Sequence, residues 1–169
     1  MNFRPLFVFA TLATMTWGFN SCAEAPNFPD EPVITYEGMS TNEIFQFPTG
    51  IRDSILIFFS FTDGDGDLTN LDSNVNDVIL TDSRSELFIS RLNFPDIDEE
   101  GTGNGISGDA TLVIDNAAFT ICCLRDDELC IIDNDFPTDQ FTYKIQVRDR
   151  AGNFSNIIET EPITLICLP

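Results

Sequence analysis

Apolar and polar residues alternate with a period of two along much of the chain, and the longer period of an amphipathic helix is absent. In segment 141–148, aromatic and aliphatic residues occupy every second position, with polar residues between them. Segment 54–61 has four apolar residues on one face, and Leu56 and Phe58 lie on the other, which predicts a central strand. Segment 162–167 begins with a proline, which a strand tolerates at its first position. These three segments are the strongest strand predictions.

Weaker alternation predicts further strands at 33–37, 78–81, 86–92, 110–114 and 119–124. Turn residues separate these segments, and the glycine-rich stretch 93–109 is predicted to be a long loop. Seven or eight short strands with turns between them are typical of a two-sheet sandwich. We therefore predict an all-β chain that folds as one antiparallel β-sandwich of about seven strands over residues 32–169.

The N-terminal part of the chain has a different pattern, which is that of an export signal followed by a linker. Arg4 precedes an apolar run at 6–15 that suits a signal peptide and is shorter than the ~20 residues of a membrane-spanning helix. After Cys22, closely spaced prolines and acidic residues disfavour a helix. We predict a signal peptide at 1–21 and an extended, flexible tether at 22–31, in preference to an N-terminal core helix.

Residues 19–22 resemble a bacterial lipobox, with an apolar residue three positions before the cysteine and a small residue directly before it. Asn20 departs from that pattern. The resemblance implies that Cys22 carries acyl chains such as palmitate, which together give stable membrane anchoring. Ordinary cleavage, with a free or disulfide-bonded Cys22, is the alternative. Ala23 follows the cysteine where aspartate would favour the inner membrane. By resemblance to other Gram-negative lipoproteins, this implies the outer membrane, on its periplasmic or its extracellular face.

The charge of the chain is strongly negative, with 28 acidic and 8 basic residues and a formal net charge of −20. Such a surface repels nucleic acid and anionic lipid and attracts divalent cations. The 16 phenylalanines are too many for a disordered acidic tail. We therefore expect a folded, acidic domain outside the cytoplasm, without a nucleic-acid partner.

Three aspartates, Asp63, Asp65 and Asp67, alternate with glycines directly after the predicted strand 54–61. Carboxylates this close repel one another and raise each other's pKa unless a cation compensates. Calcium suits them because it accepts six to eight oxygens in irregular geometry. The spacing is not that of an EF-hand, because Leu68 stands where that loop needs glycine. We predict calcium as the cofactor, with solvated Asp-Gly turns and another metal as the alternatives.

A second polar segment, 148–153, follows the predicted strand 141–148. In an immunoglobulin-like sandwich, the loops after the second and the penultimate strand lie at the same end of the domain. Asp149 and Asn153 are therefore predicted to complete the calcium ligands. Arg148 or Arg150 offers an alternative, because an ion pair with the aspartates would remove the need for a metal.

The pairing of an "FTDGDGDL" loop with a "VRDRAGN" loop resembles a widespread set of uncharacterised immunoglobulin-like lipoprotein domains from Gram-negative surface-glycan and gliding bacteria. The resemblance covers most of the chain after Cys22 and rests on these two short motifs. It implies an immunoglobulin-like β-sandwich at the outer membrane, and it implies no activity.

Four cysteines follow Cys22 at positions 122, 123, 130 and 167. An even number in an oxidising compartment predicts two disulfides. In an extended chain Cys122 and Cys123 point to opposite faces, so we expect one to bond locally to Cys130 and the other to Cys167. Which cysteine takes which partner stays open. Zinc is the alternative, and the spacing and the lack of histidine disfavour it.

The absence of histidine removes the commonest general base, the serine triad and most catalytic zinc sites. We therefore predict a non-enzymatic, lipid-anchored cell-envelope module with a structural or protein-interaction role, within an outer-membrane protein assembly. A surface lipoprotein that binds glycan or another nutrient is the alternative. For that function Phe94 or Phe154 would stack on the ligand, and packing within the domain is the alternative role of each ring. A hydrolase using paired carboxylates is the third hypothesis.

Overall fold

A computed structural model describes residues 27–46, 53–68, 77–84, 89–94, 105–116, 121–126 and 128–168. The predicted signal peptide, Cys22 and the first part of the predicted tether lie outside these residues.

The described chain contains β-strands and no helix. The strands are β1 (Val33–Met39), β2 (Glu43–Phe45), β3 (Ser54–Asp63), β4 (Val78–Asp82), β5 (Ile89–Leu92), β6 (Ile106–Asp115), β7 (Leu124–Arg125), β8 (Glu128–Leu129), β9 (Thr138–Phe141), β10 (Tyr143–Val147), β11 (Ile158–Glu159) and β12 (Ile163–Ile166).

The first layer is an antiparallel sheet in the order β1-β3-β6. β3 is its central strand, pairing with β1 from Val33↔Thr62 and with β6 along its whole length from Ser54↔Asp115. Every second residue of β3 is buried, beginning with Ile55. The alternating residues of segment 54–61 therefore point in turn towards the core and towards the outer face of the sheet, as predicted.

The second layer contains a sheet in the order β11-β10-β4-β5 and a sheet in the order β2-β12-β9. β9 continues into β10 across Thr142, so the strands of segment 138–147 take part in both sheets. β2 runs parallel to β12, and the other described pairs in this layer are antiparallel. With β1, β3 and β6 as strands A, B and E, the four-stranded sheet of the second layer reads G-F-C-C′, which is the immunoglobulin-like order. The predicted all-β sandwich is confirmed.

One continuous core lies between the layers, and both contribute to it. Ile34 of β1 and Ile57 of β3 share it with Ile145 of β10 and Leu165 of β12, and all four are almost fully buried. Apolar burial of this kind stabilises the fold by roughly 1.5–3 kcal/mol for each large side chain. The inward residues of each layer therefore hold the two layers together.

The predicted loop 93–109 is wrong over its last residues, because β6 begins at Ile106. Gly108 pairs with Phe61, and a Cβ on Gly108 would lie 3.0 Å from the Phe61 ring. This glycine makes room for an aromatic ring of the neighbouring strand and does not form a turn. Residues 95–104 of the predicted loop lie outside the described residues.

The predicted strand 119–124 is wrong at 121–123, which are buried without forming a strand, and β7 begins only at Leu124. Residues 119 and 120 lie outside the described residues. Two disulfides hold this segment, Cys122–Cys130 and Cys123–Cys167. This pairing is the expected local and long-range pattern and resolves which cysteine takes which partner.

Gln46, which is buried, links the long-range disulfide to the N-terminal part of the fold. Its side chain accepts a hydrogen bond from the Cys123 N–H at 2.6 Å and donates one to the Cys167 carbonyl at 3.4 Å. The backbone of the buried segment thus finds a side-chain partner where no strand ladder supplies one.

Candidate metal centre

Asp63 is the last residue of β3, and it lies on the core-facing side of that strand. The alternation that buries Ile57, Phe59 and Phe61 places the Asp63 side chain at the end of the same row, with 0% exposure. The chain then turns through Gly66, whose φ of 72° is a left-handed conformation that favours glycine. The strand and the turn together bring the carboxyl groups that follow back over Asp63.

Asp63, Asp65 and Asp67 form a compact cluster in which one carboxylate oxygen of each residue lies within 4.8 Å of the others. The Asp67 N–H donates a hydrogen bond to Asp63 Oδ2 at 2.8 Å, which closes the turn. The Oδ1 atom of each of the three aspartates is buried and has no hydrogen-bond partner within the described part of the chain. Buried polar atoms are almost always satisfied, so three such oxygens together make this cluster a candidate cation site.

Burial and mutual repulsion change the acidity of the cluster. Burial of the carboxyl raises the pKa of Asp63 to about 7, and the charges of Asp65, Asp67 and Asp149 add to this effect. Burial also raises the pKa of Asp67 to about 6, assisted by the charges of Asp149 and Asp65. Groups of this kind take up either protons or a cation near neutral pH.

The loop after β10 lies directly against this cluster, as the immunoglobulin-like topology predicts. Two backbone N–H groups of that loop donate to Asp67: Arg150 to its carbonyl at 3.1 Å, and Ala151 to its Oδ2 at 3.0 Å. The two motifs singled out in the sequence therefore form one structural unit.

Asp149 uses its carboxylate mainly to shape its own turn. Its Oδ1 accepts the N–H groups of Gly152 at 2.6 Å and Asn153 at 2.7 Å, and its Oδ2 accepts the Asn153 side-chain amide at 2.8 Å. Of the five predicted ligands, the three aspartates of the first loop come together, Asp149 adds its charge beside them, and Asn153 is held by Asp149. Metal ligation by Asp149 and Asn153 stays a prediction.

Arg148, one of the two arginines predicted as alternative counter-ions for the aspartates, contacts an aromatic ring. Its guanidinium carbon lies 5.5 Å from the ring centroid of Phe154, in a cation–π contact, and its backbone N–H donates to the Asp77 carbonyl at 2.7 Å. Arg148 is thus engaged with an aromatic ring of its own loop.

Two further parts of the chain contact this end of the sandwich and gave no signal in the sequence. Asp77, which is 1% exposed, directly precedes β4 beside the 148–153 loop. Pro29, in the predicted tether, accepts a hydrogen bond from the Gly64 N–H at 2.7 Å. Neither residue belongs to an alternating pattern or a recognisable motif. Their position at the loop depends on the folding of the whole chain, so the sequence alone did not indicate it.

A second cluster of charged residues is satisfied internally. Arg84 contacts Asp82 and Asp139, both at 2.6 Å, and its guanidinium lies 4.2 Å from the Phe141 ring centroid. The Leu124 N–H also donates to Asp139 at 2.9 Å. This cluster has the contacts of a structural network and not those of an open site.

The two phenylalanines predicted either to stack on a ligand or to pack within the domain, Phe94 and Phe154, have different environments. Phe94 is 4% exposed and packs edge-on against Phe59 and Phe61, so of its two predicted roles it has the packing one. Phe154 is 49% exposed and lies next to Arg148.

No protein-family model, curated protein or solved structure matches this chain. Within the described residues there is no helix long and apolar enough to cross a bilayer.

Proposed function

We propose that this chain is a non-catalytic module of the bacterial cell envelope, anchored by lipid at Cys22 and stabilised by calcium bound to Asp63, Asp65 and Asp67. The observation that carries the proposal is the set of three buried carboxylate oxygens, one on each aspartate, that have no hydrogen-bond partner among the described residues.

Calcium is the cation that suits this cluster best. Carboxylates are hard oxygen ligands, which favour calcium and magnesium over softer metals. The short loop offers three carboxylates in an irregular arrangement, and calcium accepts this more readily than magnesium, which requires near-ideal octahedral geometry. Backbone carbonyls and water are suitable for the remaining positions, and the adjacent Asp149 increases the negative potential at the site.

Thermal melting in calcium and in chelator tests the metal site. A ligand present at 100 times its dissociation constant stabilises a protein by ~2.7 kcal/mol. We therefore expect the exported, purified protein to melt several degrees higher in CaCl₂ than in EGTA, and MgCl₂ to have a smaller effect. Asp65→Asn removes one ligand charge and should abolish the calcium response.

Asp109→Asn is the matched control, because Asp109 is an exposed acid on β6 outside the aspartate cluster. This variant should keep the full calcium response. Equal melting temperatures of the unsubstituted protein in calcium and in EGTA would contradict the proposed site and favour the solvated-turn alternative.

The lipid anchor is supported by the sequence of residues 1–22 and agrees with the disulfides, which persist in oxidising compartments. The full chain, produced in a Gram-negative host with labelled palmitate, should incorporate the label and fractionate with the outer membrane. Cys22→Ser should lose the label and leave the membrane fraction. A labelled Cys22→Ser protein, or an unlabelled chain with Met1 still attached in the cell interior, would contradict the anchor.

A further inference from the structure

The chain just before β1 lies on the loop that contains the three aspartates, residues 63–67, which is called the aspartate loop below. Gly64, between two of the proposed ligands, donates its N–H to the Pro29 carbonyl at 2.7 Å. The two segments of the chain touch closely here, because a Cβ on Gly64 would lie 2.5 Å from that oxygen and would also collide with the Phe28 carbonyl. The loop therefore presents its backbone to residues 28 and 29.

A second contact involves the Phe28 ring, which is partly buried. A Cβ on Gly105 would lie 3.0 Å from the ring and 3.1 Å from the Asp63 carbonyl. The ring thus packs against Gly105, directly before β6, and Gly105 in turn lies beside the carbonyl of Asp63, the residue that begins the aspartate loop. Docking of Phe28 depends on the position of the Asp63–Gly64 backbone.

The aspartate loop holds this position against its own charge. When ionised, Asp63, Asp65 and Asp67 carry negative charge in a small volume, and the fully buried Asp63 has one oxygen without a hydrogen-bond partner in the described part of the chain. A bound cation draws the three carboxylates together, whereas their repulsion without it loosens the turn that contains Gly64.

We propose that cation binding by Asp63, Asp65 and Asp67 docks residues 28–31 on the sandwich, and that loss of the cation releases them. This inference rests on the calcium site proposed above and adds a consequence for the chain that precedes the domain. Residue 28 is six positions after Cys22, so cation-dependent docking would act on the part of the chain that is close to the proposed anchor. Four released residues add up to ~14 Å of free chain.

Binding and docking are linked in both directions. If calcium favours the docked segment, the docked segment must strengthen calcium binding by the same factor. Phe28 is not a proposed ligand, so a change of calcium affinity on removing its ring reports on this linkage. Phe136 is exposed and contacts Arg125, away from the aspartate loop, and it provides the matched aromatic control.

The first measurement is the distance between spin labels in the full exported protein, one at Asn27→Cys and one at Thr111→Cys on β6. Both positions are exposed. Pulsed EPR should give a narrow distance distribution in CaCl₂ and a broad one in EGTA. Gly64→Ala, whose Cβ collides with the segment, should give a broad distribution in both.

The second measurement is calcium titration by calorimetry. Phe28→Ala should weaken calcium binding by about fivefold or more, the lower end of common coupling energies, while Phe136→Ala binds as the unsubstituted protein does. If calcium binds and raises the melting temperature but leaves the distance distribution unchanged, or if Phe28→Ala binds calcium normally, the docking proposal is overturned and the calcium site stands. Absence of calcium binding overturns both.

Discussion

Asp63 occupies a position at which β3 would otherwise place another core residue. The strand alternates strictly, and its inward row of Ile55, Ile57, Phe59 and Phe61 ends with a fully buried carboxyl group. A buried carboxylate is unfavourable unless it is paired, protonated or bound to a cation. One hydrogen bond from the Asp67 N–H satisfies one oxygen, and the other oxygen requires one of the remaining solutions.

The calcium response should depend on pH. An unfolded aspartate loses its proton near pH 3.9, whereas burial and neighbouring carboxylates raise the pKa of Asp63 to about 7 and that of Asp67 to about 6 in the fold. Between these values the folded state binds more protons than the unfolded state, so metal-free stability falls as the pH rises. Calcium competes with those protons, so its stabilisation should be larger near pH 8 than near pH 5.5.

Melting in CaCl₂ and in EGTA at the two pH values measures this effect. The chain has no histidine, so no histidine titrates in this window. Burial acts to raise the pKa of Asp139, but hydrogen bonds from Leu124 and Arg84 outweigh it and lower that pKa. The contribution of Asp139 to stability is therefore lost only in more acidic solution. An equal calcium shift at both pH values would show that the aspartate cluster does not exchange protons for the metal.

At the scale of elements, period-two alternation correctly predicts the strands that pair on both sides and bury one face in the core. β3 and β10 follow the pattern residue by residue, because each has neighbours on both sides and one face in the core. β2 has only three residues and was not predicted, since its position depends on a parallel pairing with β12 that no local pattern encodes. β6 was predicted too short because Gly108 and its neighbours have the composition of a turn.

The candidate site shows the same limit. The aspartates were predictable because three ligand-type residues are adjacent in one short segment, and the contact with the 148–153 loop followed from sandwich topology. The roles of Phe28 and Pro29 were not predictable, because a hydrogen bond from Gly64 to a carbonyl does not depend on the identity of the acceptor residue. Backbone contacts leave little trace in a single sequence.

At the scale of the whole molecule, the disulfides lie at one end of the sandwich, and the aspartate loop and the 148–153 loop lie at the other. Asp149 follows the end of β10, whereas Cys167 follows the end of β12, which pairs with the start of β9. The strands of segment 138–147 separate the two. Removing the metal and removing a disulfide should therefore destabilise the domain independently, since distant sites without shared partners usually contribute additively.

The two disulfides should differ in their contribution to stability. Cys123–Cys167 spans 44 residues and Cys122–Cys130 spans 8. Restriction of the unfolded chain gives ~4 kcal/mol for the longer loop and ~2.5 kcal/mol for the shorter one. The Cys123→Ala/Cys167→Ala variant should therefore unfold at a lower urea concentration than the Cys122→Ala/Cys130→Ala variant. The former also removes sulfur atoms from the core, where both cysteines are almost fully buried, which increases the difference.

Urea unfolding of both variants and the unsubstituted protein in saturating calcium measures these contributions. Removing a cross-link exposes more surface in the unfolded chain, so the free energies, and not only the midpoints, must be compared. If Cys122–Cys130 proves the more stabilising disulfide, it acts chiefly by stabilising the segment around it in the folded state, and not by restricting the unfolded chain. The same experiment in EGTA tests additivity: an equal disulfide effect with and without calcium would establish that the two ends of the sandwich stabilise it separately.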